Sequence, residues 1–156
     1  MATDDLIRTL MQQIDATPDA GAVDLLHELL DDATIEDSSN EIGIAEAAQL
    51  VGLSAHTLRY YEQQKLVRPT RDAQGRRRYD AFALRRLVFV TRMRVSGMGM
   101  SELRRYIALV EQGDATIPER RQIMLDQRDR IERQIAELEL AREATDFKIA
   151  RYSAPE

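Results

Sequence analysis

Apolar residues recur at helical spacing along most of the chain, so the pattern predicts a mainly α-helical protein. Two short amphipathic helices are predicted over residues 3–15 and 19–32, with the helix-breaking segment Thr17-Pro18-Asp19 between them. They form a predicted acidic helical hairpin over residues 1–32, and the polar residues 33–41 are typical of a linker. A hairpin of about 30 residues buries little core by itself, so its apolar stripe needs a partner surface. That stripe consists of Leu6, Ile7, Leu10, Met11, Ile14, Val23, Leu26, Leu29 and Leu30.

Two further short helices, joined by a tight turn, are predicted after the linker. The first covers residues 44–51 and ends at Gly52, and Ser54 is placed to cap the second, from Ala55 to about Gln63. A small residue before such a turn, here Ala48, lets two helices approach as in a helix-turn-helix. One face of the second helix suits a DNA groove, because arginine pairs with guanine and hydroxyl groups bind phosphates. That face carries His56, Thr57, Arg59 and Tyr60, whereas Ala55, Leu58 and Glu62 are predicted on the opposite side.

Basic residues then cluster around a predicted turn at Asp72-Ala73-Gln74-Gly75. Residues 67–69 and 77–79 flank this turn and predict a short two-stranded wing. Its arginines are spaced to lie along a phosphate backbone, and they are Arg71, Arg76, Arg77 and Arg78. Two more helices are predicted, one from Asp80 to about Val95 and one from about Ser101 to Gln112.

Residues 117–152 have the pattern of a coiled coil. Apolar residues and one threonine stand seven apart, and a second row lies four residues after members of the first, interrupted by arginines. A long helix with such a seam leaves it exposed unless it pairs, so a homodimer is expected. The predicted dimerisation residues are Ile117, Met124, Ile131, Ile135, Leu138 and Ile149.

The charge pattern separates the chain into three parts. Residues 1–41 hold 11 acidic residues and one basic residue, and residues 42–110 hold 5 acidic and 13 basic residues. Residues 111–156 hold 11 acidic and 8 basic residues. A basic middle between acidic flanks is typical of a segment that meets a polyanion, and the arginine-bearing helix face makes double-stranded DNA the expected partner.

Other function classes lack their chemistry in this sequence. Without cysteine there are no disulfides, thiolate metal sites or cysteine redox switches. Two separated histidines and no Gly-rich phosphate loop make no catalytic constellation, so no enzyme, cofactor or metal site is expected. The acidic start and the lack of a long apolar run predict a cytoplasmic protein without a membrane segment.

The run Thr57-Leu58-Arg59-Tyr60-Tyr61-Glu62, with the helix and Gly52 before it, resembles the opening of MerR-type transcriptional regulators. Gly75-Arg76-Arg77-Arg78-Tyr79 resembles the wing of that family, and residues 117–152 resemble its antiparallel dimerisation helix. The C-terminal half is similar to the branch that includes aldehyde- and thiol-stress regulators. In all, the resemblance covers about residues 43–152.

The resemblance implies a winged helix-turn-helix domain over residues 42–112 and a homodimer on a pseudo-palindromic operator. Regulators of this kind typically underwind an over-long promoter spacer so that RNA polymerase engages both promoter elements, which makes the polymerase an expected partner. By position, the expected DNA-binding residues in the recognition helix are His56, Thr57, Arg59, Tyr60 and Tyr61. In the wing, they are Arg71, Arg76, Arg77, Arg78 and Tyr79.

The sequence departs from the family pattern at a few points. Lys65 stands where many members have glycine, and a left-handed conformation there costs roughly 1 kcal/mol. Because cysteine is absent, the resemblance transfers DNA binding but not a thiol-based signal. The family pattern does not explain residues 1–41, for which three roles stay open. They could add to the dimer interface, contact RNA polymerase or another protein, or fold over the basic segment and weaken its binding to DNA. The apolar stripe favours contact with a protein.

Two other function classes compete with the regulator. A DNA-architectural or recombination-accessory protein also uses a small winged helix, and an interaction adaptor would rely on the coiled coil. Alanine at Arg59 discriminates among them, because it abolishes activity in both DNA-binding classes and leaves an adaptor largely intact.

Overall fold

The structure is a computed structural model that describes residues 2–16, 20–31 and 41–155. The chain divides into two compact units, Met1–Ile107 and Ala108–Glu156. The helices are α1 (Thr3–Ala16), α2 (Ala20–Leu30), α3 (Ile44–Val51), α4 (Ala55–Gln63), α5 (Ala81–Val95), α6 (Met100–Glu111) and α7 (Ile117–Ser153). The strands are β1 (Ile42–Gly43), β2 (Thr70–Arg71) and β3 (Arg77–Tyr79). The predicted mainly helical fold is confirmed, whereas the breaker at residues 17–19 and most of the predicted linker lie outside the described residues.

The helix-turn-helix forms as its helix-ending glycine and its capping serine predict. Gly52 ends α3 in the left-handed conformation, with φ 70°, and its N–H donates to the carbonyls of Ala48 and Gln49. Ser54 caps α4, because its hydroxyl accepts the N–H of Thr57 at 3.1 Å. A Cβ at Gly52 would come within 3.1 Å of the Met11 side-chain terminus, so a glycine here also makes room for α1. Lys65 adopts the predicted left-handed conformation after α4, with φ 60°.

A small antiparallel sheet with the order β1-β3-β2 forms the wing. Arg78 of β3 pairs with Gly43 of β1 on one side and with Thr70 of β2 on the other. The predicted two-stranded wing with a first strand at residues 67–69 is therefore wrong in extent. Val67 is buried in the core rather than paired, and Pro69 has no N–H to donate, so the strand begins at Thr70.

The N-terminal hairpin packs against the helix-turn-helix unit. α1 contacts α2, α3 and α5, and α2 contacts α5. Leu6, Ile7, Leu10 and Leu29 are between 0 and 2 % exposed, so this part of the stripe is covered by the chain itself. For these four residues, the interpretation that the stripe needs an outside protein partner is wrong, because intramolecular contacts that sequence spacing does not reveal bury them. Val23 and Leu30 of the same stripe remain 49 % and 40 % exposed.

A buried arginine joins α5 to both helices of the hairpin. The Arg85 Nε donates to the Thr3 hydroxyl at 3.2 Å, near the start of α1. Its Nη1 donates to the carbonyls of Glu28 at 2.8 Å and Leu29 at 3.3 Å, near the end of α2. The last carbonyls of a helix lack intrahelical donors and attract positive charge, so Arg85 satisfies the end of α2.

The second unit consists of the end of α6, a short 3-10 turn at Asp114–Thr116, and α7. α7 has 37 residues, which corresponds to about 55 Å at 1.5 Å per residue. Ile117, Ile135, Leu138 and Ile149 are between 50 and 70 % exposed in the single chain, and Met124 and Ile131 are half-buried. Among the helices of the described ranges, none is long and apolar enough to cross a membrane.

Candidate nucleic-acid interface

α4 presents one face to the core and another to solvent. Leu58 and Tyr61 are 1 % and 6 % exposed, which anchors the helix in the core. On the other face His56, Arg59 and Tyr60 are exposed, as the helical spacing predicts. These side chains line an open groove that continues to Arg77 of the wing, with Glu62 and Gln63. The fold therefore brings the predicted recognition helix and the predicted wing to one surface.

The Thr57 side chain is partly engaged inside the protein. Its hydroxyl lies 2.9 Å from the Ser54 hydroxyl, and its N–H is the group that Ser54 caps. The position at the N-terminal turn of α4 still leaves it half-exposed. Phosphates favour a helix N-terminus, so the predicted phosphate contact of Thr57 stays a prediction that fits this geometry.

The tip of the wing is organised by a single carboxylate. Asp72 accepts the N–H groups of Gln74 and Arg76 and the Arg76 Nε, each at 2.9 Å. These bonds, chiefly the one from the Arg76 backbone N–H, hold the pKa of the Asp72 carboxyl below its ordinary value. The Arg76 side chain is 73 % exposed. Its Nε is held by Asp72, while the rest of the guanidinium group reaches solvent.

Glu62 lies at the groove and contacts two of the wing arginines. Its Oε1 accepts from Arg71 Nη2 at 3.1 Å, and its Oε2 accepts from Arg77 Nε. The prediction that Glu62 belongs to the side opposite Arg59 is wrong. Residues three apart are neighbours on a helix, and the long Glu62 side chain reaches across to the wing. The signal that could have identified it is this spacing from Arg59, together with arginines in the next hairpin.

Two predicted DNA-binding residues, Tyr61 and Tyr79, belong to the core instead. Tyr79 is 0 % exposed and its hydroxyl finds no hydrogen-bond partner among the described residues. Burial raises the pKa of both tyrosines, and for Tyr61 the positive charge of Arg94 opposes that rise. The prediction that they contact DNA is corrected, because side-chain direction in α4 and β3 turns both rings inward.

We expect Tyr79→Phe to keep the free energy of unfolding and the affinity for DNA, since the lost hydroxyl is buried with no partner in the described part of the chain. Urea unfolding and titration with duplex DNA measure the two quantities. The control is Tyr60→Phe on the exposed groove, which is expected to weaken DNA binding and leave stability unchanged. A loss of DNA affinity in Tyr79→Phe as large as in Tyr60→Phe would return Tyr79 to the interface.

Within residues 2–16, 20–31 and 41–155, no three His, Asp or Glu side chains come together as a metal site would need.

The remaining predicted wing residue, Arg78, is half-exposed, and its Nη2 donates to the carbonyl of Glu41 beside β1. Arg71 and Arg77 also reach the groove side of the wing through Glu62. Two carboxylates therefore hold three of the wing arginines: Glu62 contacts Arg71 and Arg77, and Asp72 contacts Arg76.

Two protein-family models match this chain. One, described as MerR HTH family regulatory protein, matches residues 43–109, and the other, described as MerR, DNA binding, matches residues 84–144. Together they include the helix-turn-helix, the wing, α6 and much of α7. The hairpin of α1 and α2 lies outside both matched ranges.

Individual relatives agree with the family models. The HTH-type transcriptional regulator AdhR of Bacillus subtilis (strain 168) is 37 % identical over 91 residues, 58 % of this chain and 65 % of AdhR. An uncharacterized HTH-type transcriptional regulator of Haemophilus influenzae is 33 % identical over 109 residues, 69 % of this chain and 81 % of that protein. The crystal structure of HiNmlR, a MerR family regulator lacking the sensor domain, bound to promoter DNA, is 32 % identical with a TM-score of 0.68. That match covers 72 % of this chain and 90 % of HiNmlR. With these family matches, relatives and shared fold, the chain belongs to the MerR family of helix-turn-helix regulatory proteins.

Proposed function

We propose that this chain is a sequence-specific transcriptional regulator that binds promoter DNA as a homodimer. The observation that carries the proposal is the groove in which exposed Arg59 and Tyr60 of α4 stand beside Arg77 of the wing. A MerR family relative that shares this fold is bound to promoter DNA in its crystal structure, which supports the same ligand here. Because that ligand is genomic DNA, the proposed location is the cytoplasm.

The residues have separate roles in this proposal. Arg59 reads base edges from the major groove, since a guanidinium can bind guanine through two hydrogen bonds. Thr57 and Tyr60 bind phosphates, and His56 is a further reader at the exposed start of α4. The wing arginines supply sequence-independent attraction along the backbone, and they are Arg71, Arg76, Arg77 and Arg78.

The dimer and the operator are proposed together. α7 exposes Ile135, Leu138 and Ile149, and pairing with an antiparallel copy would bury them. A two-fold symmetric dimer calls for a pseudo-palindromic site. Spacer distortion that lets RNA polymerase engage both promoter elements is the mode of action we propose. Deforming the DNA costs a few kcal/mol, and this cost depends on its sequence. Phosphate contacts from the two wings of a dimer can offset a cost of this size.

The buried part of the stripe, Leu6, Ile7, Leu10 and Leu29, leaves only the outer surface of the hairpin for a partner. Its outer surface keeps exposed carboxylates, such as Asp5, Asp24 and Glu28, beside the half-exposed Val23. We propose that a protein partner of the hairpin binds this acidic outer face rather than the buried Leu6 and Leu10. The buried part of the hairpin supports the helix-turn-helix.

Selection from a pool of random duplexes with the full chain tests the proposal. Recovery of one inverted repeat is expected, and Arg59→Ala should bind it about 10- to 100-fold more weakly, the range for one bidentate arginine–guanine pair. The control is Arg8→Ala on α1, which removes the same charge away from the groove and should change affinity little. Enrichment of flexible sequences without a repeat would favour an architectural protein. Failure to enrich any sequence would contradict both DNA-binding functions.

A further inference from the structure

The carboxylate of Glu62 stands among cations on a surface that we propose meets phosphates. Its side chain is 25 % exposed, Arg77 is 26 % exposed and Arg71 is 47 % exposed. Arg71 also donates from Nη1 to the carbonyl of Gly75 at 3.2 Å, at the end of the wing turn. One carboxylate of the recognition helix thus holds one arginine of β2 and one of β3.

The charge of Glu62 also influences the buried Tyr79. The pKa of Tyr79 is raised by burial first and then by the charge of Glu62, while Arg59, Arg71 and Arg77 act in the opposite direction. The guanidinium groups that contact Glu62 are those of Arg71 and Arg77. Charge-assisted hydrogen bonds in a partly buried setting are stronger and more directional than exposed ion pairs.

A negative charge at a DNA-facing groove opposes phosphate attraction, so it needs a function of its own. Phosphate contacts are independent of sequence, and each arginine that is free to make one raises affinity for every duplex. Glu62 competes with phosphates for Arg71 and Arg77. The same bonds also tie β2 and β3 of the wing to α4.

We propose that Glu62 is a specificity-determining positioning residue that couples the wing to the recognition helix and withholds two arginines from non-cognate DNA. The inference rests on the proposed DNA-binding function and assigns part of its selectivity to a residue that is not itself a DNA reader. Glu62 weakens binding to random duplexes more than binding to the operator. Selectivity is the difference between the affinity for the operator and the affinity for other duplexes. The Glu62 charge increases this difference by disfavouring the other duplexes.

The test compares full-length wild type and Glu62→Gln, which keeps a hydrogen-bond acceptor but removes the charge. Affinity is measured by fluorescence anisotropy for the selected operator and for a random-sequence duplex, from about 50 to 300 mM salt. For the random duplex, we expect Glu62→Gln to bind about three- to tenfold more tightly, with a salt slope steeper by about 0.9 for each additional phosphate contact. Operator affinity should change less, so the specificity ratio falls.

The matched control is Asp24→Asn, which removes one negative charge from the exposed face of α2 in the same unit. It should leave the specificity ratio unchanged and so account for the effect of net charge. Thermal unfolding of each variant shows whether the fold is retained. An unchanged ratio in Glu62→Gln, or equal losses of affinity for both duplexes, would overturn the inference. A wild type that shows no preference for any duplex would instead contradict the proposed function.

Discussion

Leu138→Glu is expected to convert the proposed homodimer into a monomer and thereby to abolish tight operator binding. Leu138 is 70 % exposed in the single chain and lies three residues after Ile135 on the predicted seam. Burying a leucine contributes about 1.5–3 kcal/mol, and a dimer loses two of them. The dimer dissociation constant should therefore rise by at least about a hundredfold, since each 1.4 kcal/mol is a factor of ten. Analytical ultracentrifugation over a concentration series measures it.

The control for this prediction is Leu140→Glu. Leu140 is 72 % exposed in the single chain, as much as Leu138, but its position falls outside the heptad rows. It should keep the dimer and the operator affinity. A chain in which Leu138→Glu stays dimeric, or in which both variants dissociate alike, would contradict the seam that the heptad spacing predicts.

Arg85→Leu is expected to lower the free energy of unfolding of the first unit by about 3 kcal/mol. The substitution leaves the Thr3 hydroxyl and the carbonyls of Glu28 and Leu29 without the donor that Arg85 supplies. Buried polar groups that lose a charged partner account for losses of this size. Urea unfolding followed by circular dichroism measures the loss, and hydrogen exchange should show it first in α1 and α2.

The control for Arg85→Leu is the same substitution at the next position of α5. Arg86 is half-exposed and its guanidinium lies over the ring of Phe82, 4.7 Å from the ring centre. A contact of this kind at a partly exposed site contributes about 0.5–1 kcal/mol, so Arg86→Leu should have a smaller effect. Equal stability of the two variants would show that Arg85 does not hold the hairpin in place.

Local structure was largely predictable because its signals are carried by single residues. Gly52 ends α3, Ser54 caps α4 and Asp80 caps α5 as their chemistry predicts. The exposed face of α4 followed from helical periodicity, which places Arg59 and Tyr60 away from Leu58. Such features depend on neighbours within a few positions, so spacing along the chain is enough to derive them.

The candidate site was predicted less completely, because its composition depends on the direction of side chains and on contacts between residues that are distant in sequence. Tyr79 and Tyr61 belong to motifs that resemble a DNA-binding family, but the fold turns both into the core. For Glu62 the sequence offers only its spacing from Arg59, and its place in the site follows from contacts with arginines 9 and 15 residues away. Strand β1 has two residues, too few for a periodic pattern, and is defined by its pairing with β3.

The sequence by itself determined the helical elements, their caps, the basic central segment and the family, because these depend on local spacing and on composition. Tertiary structure decided which surfaces remain open. It buried the leucine stripe of α1 against α3 and α5, where the sequence alone favoured an outside partner. It also placed Arg85 at the end of α2, across 56 and 57 residues of sequence. Burial and hydrogen bonding between distant residues arise only when the chain folds back on itself, so no local pattern encodes them.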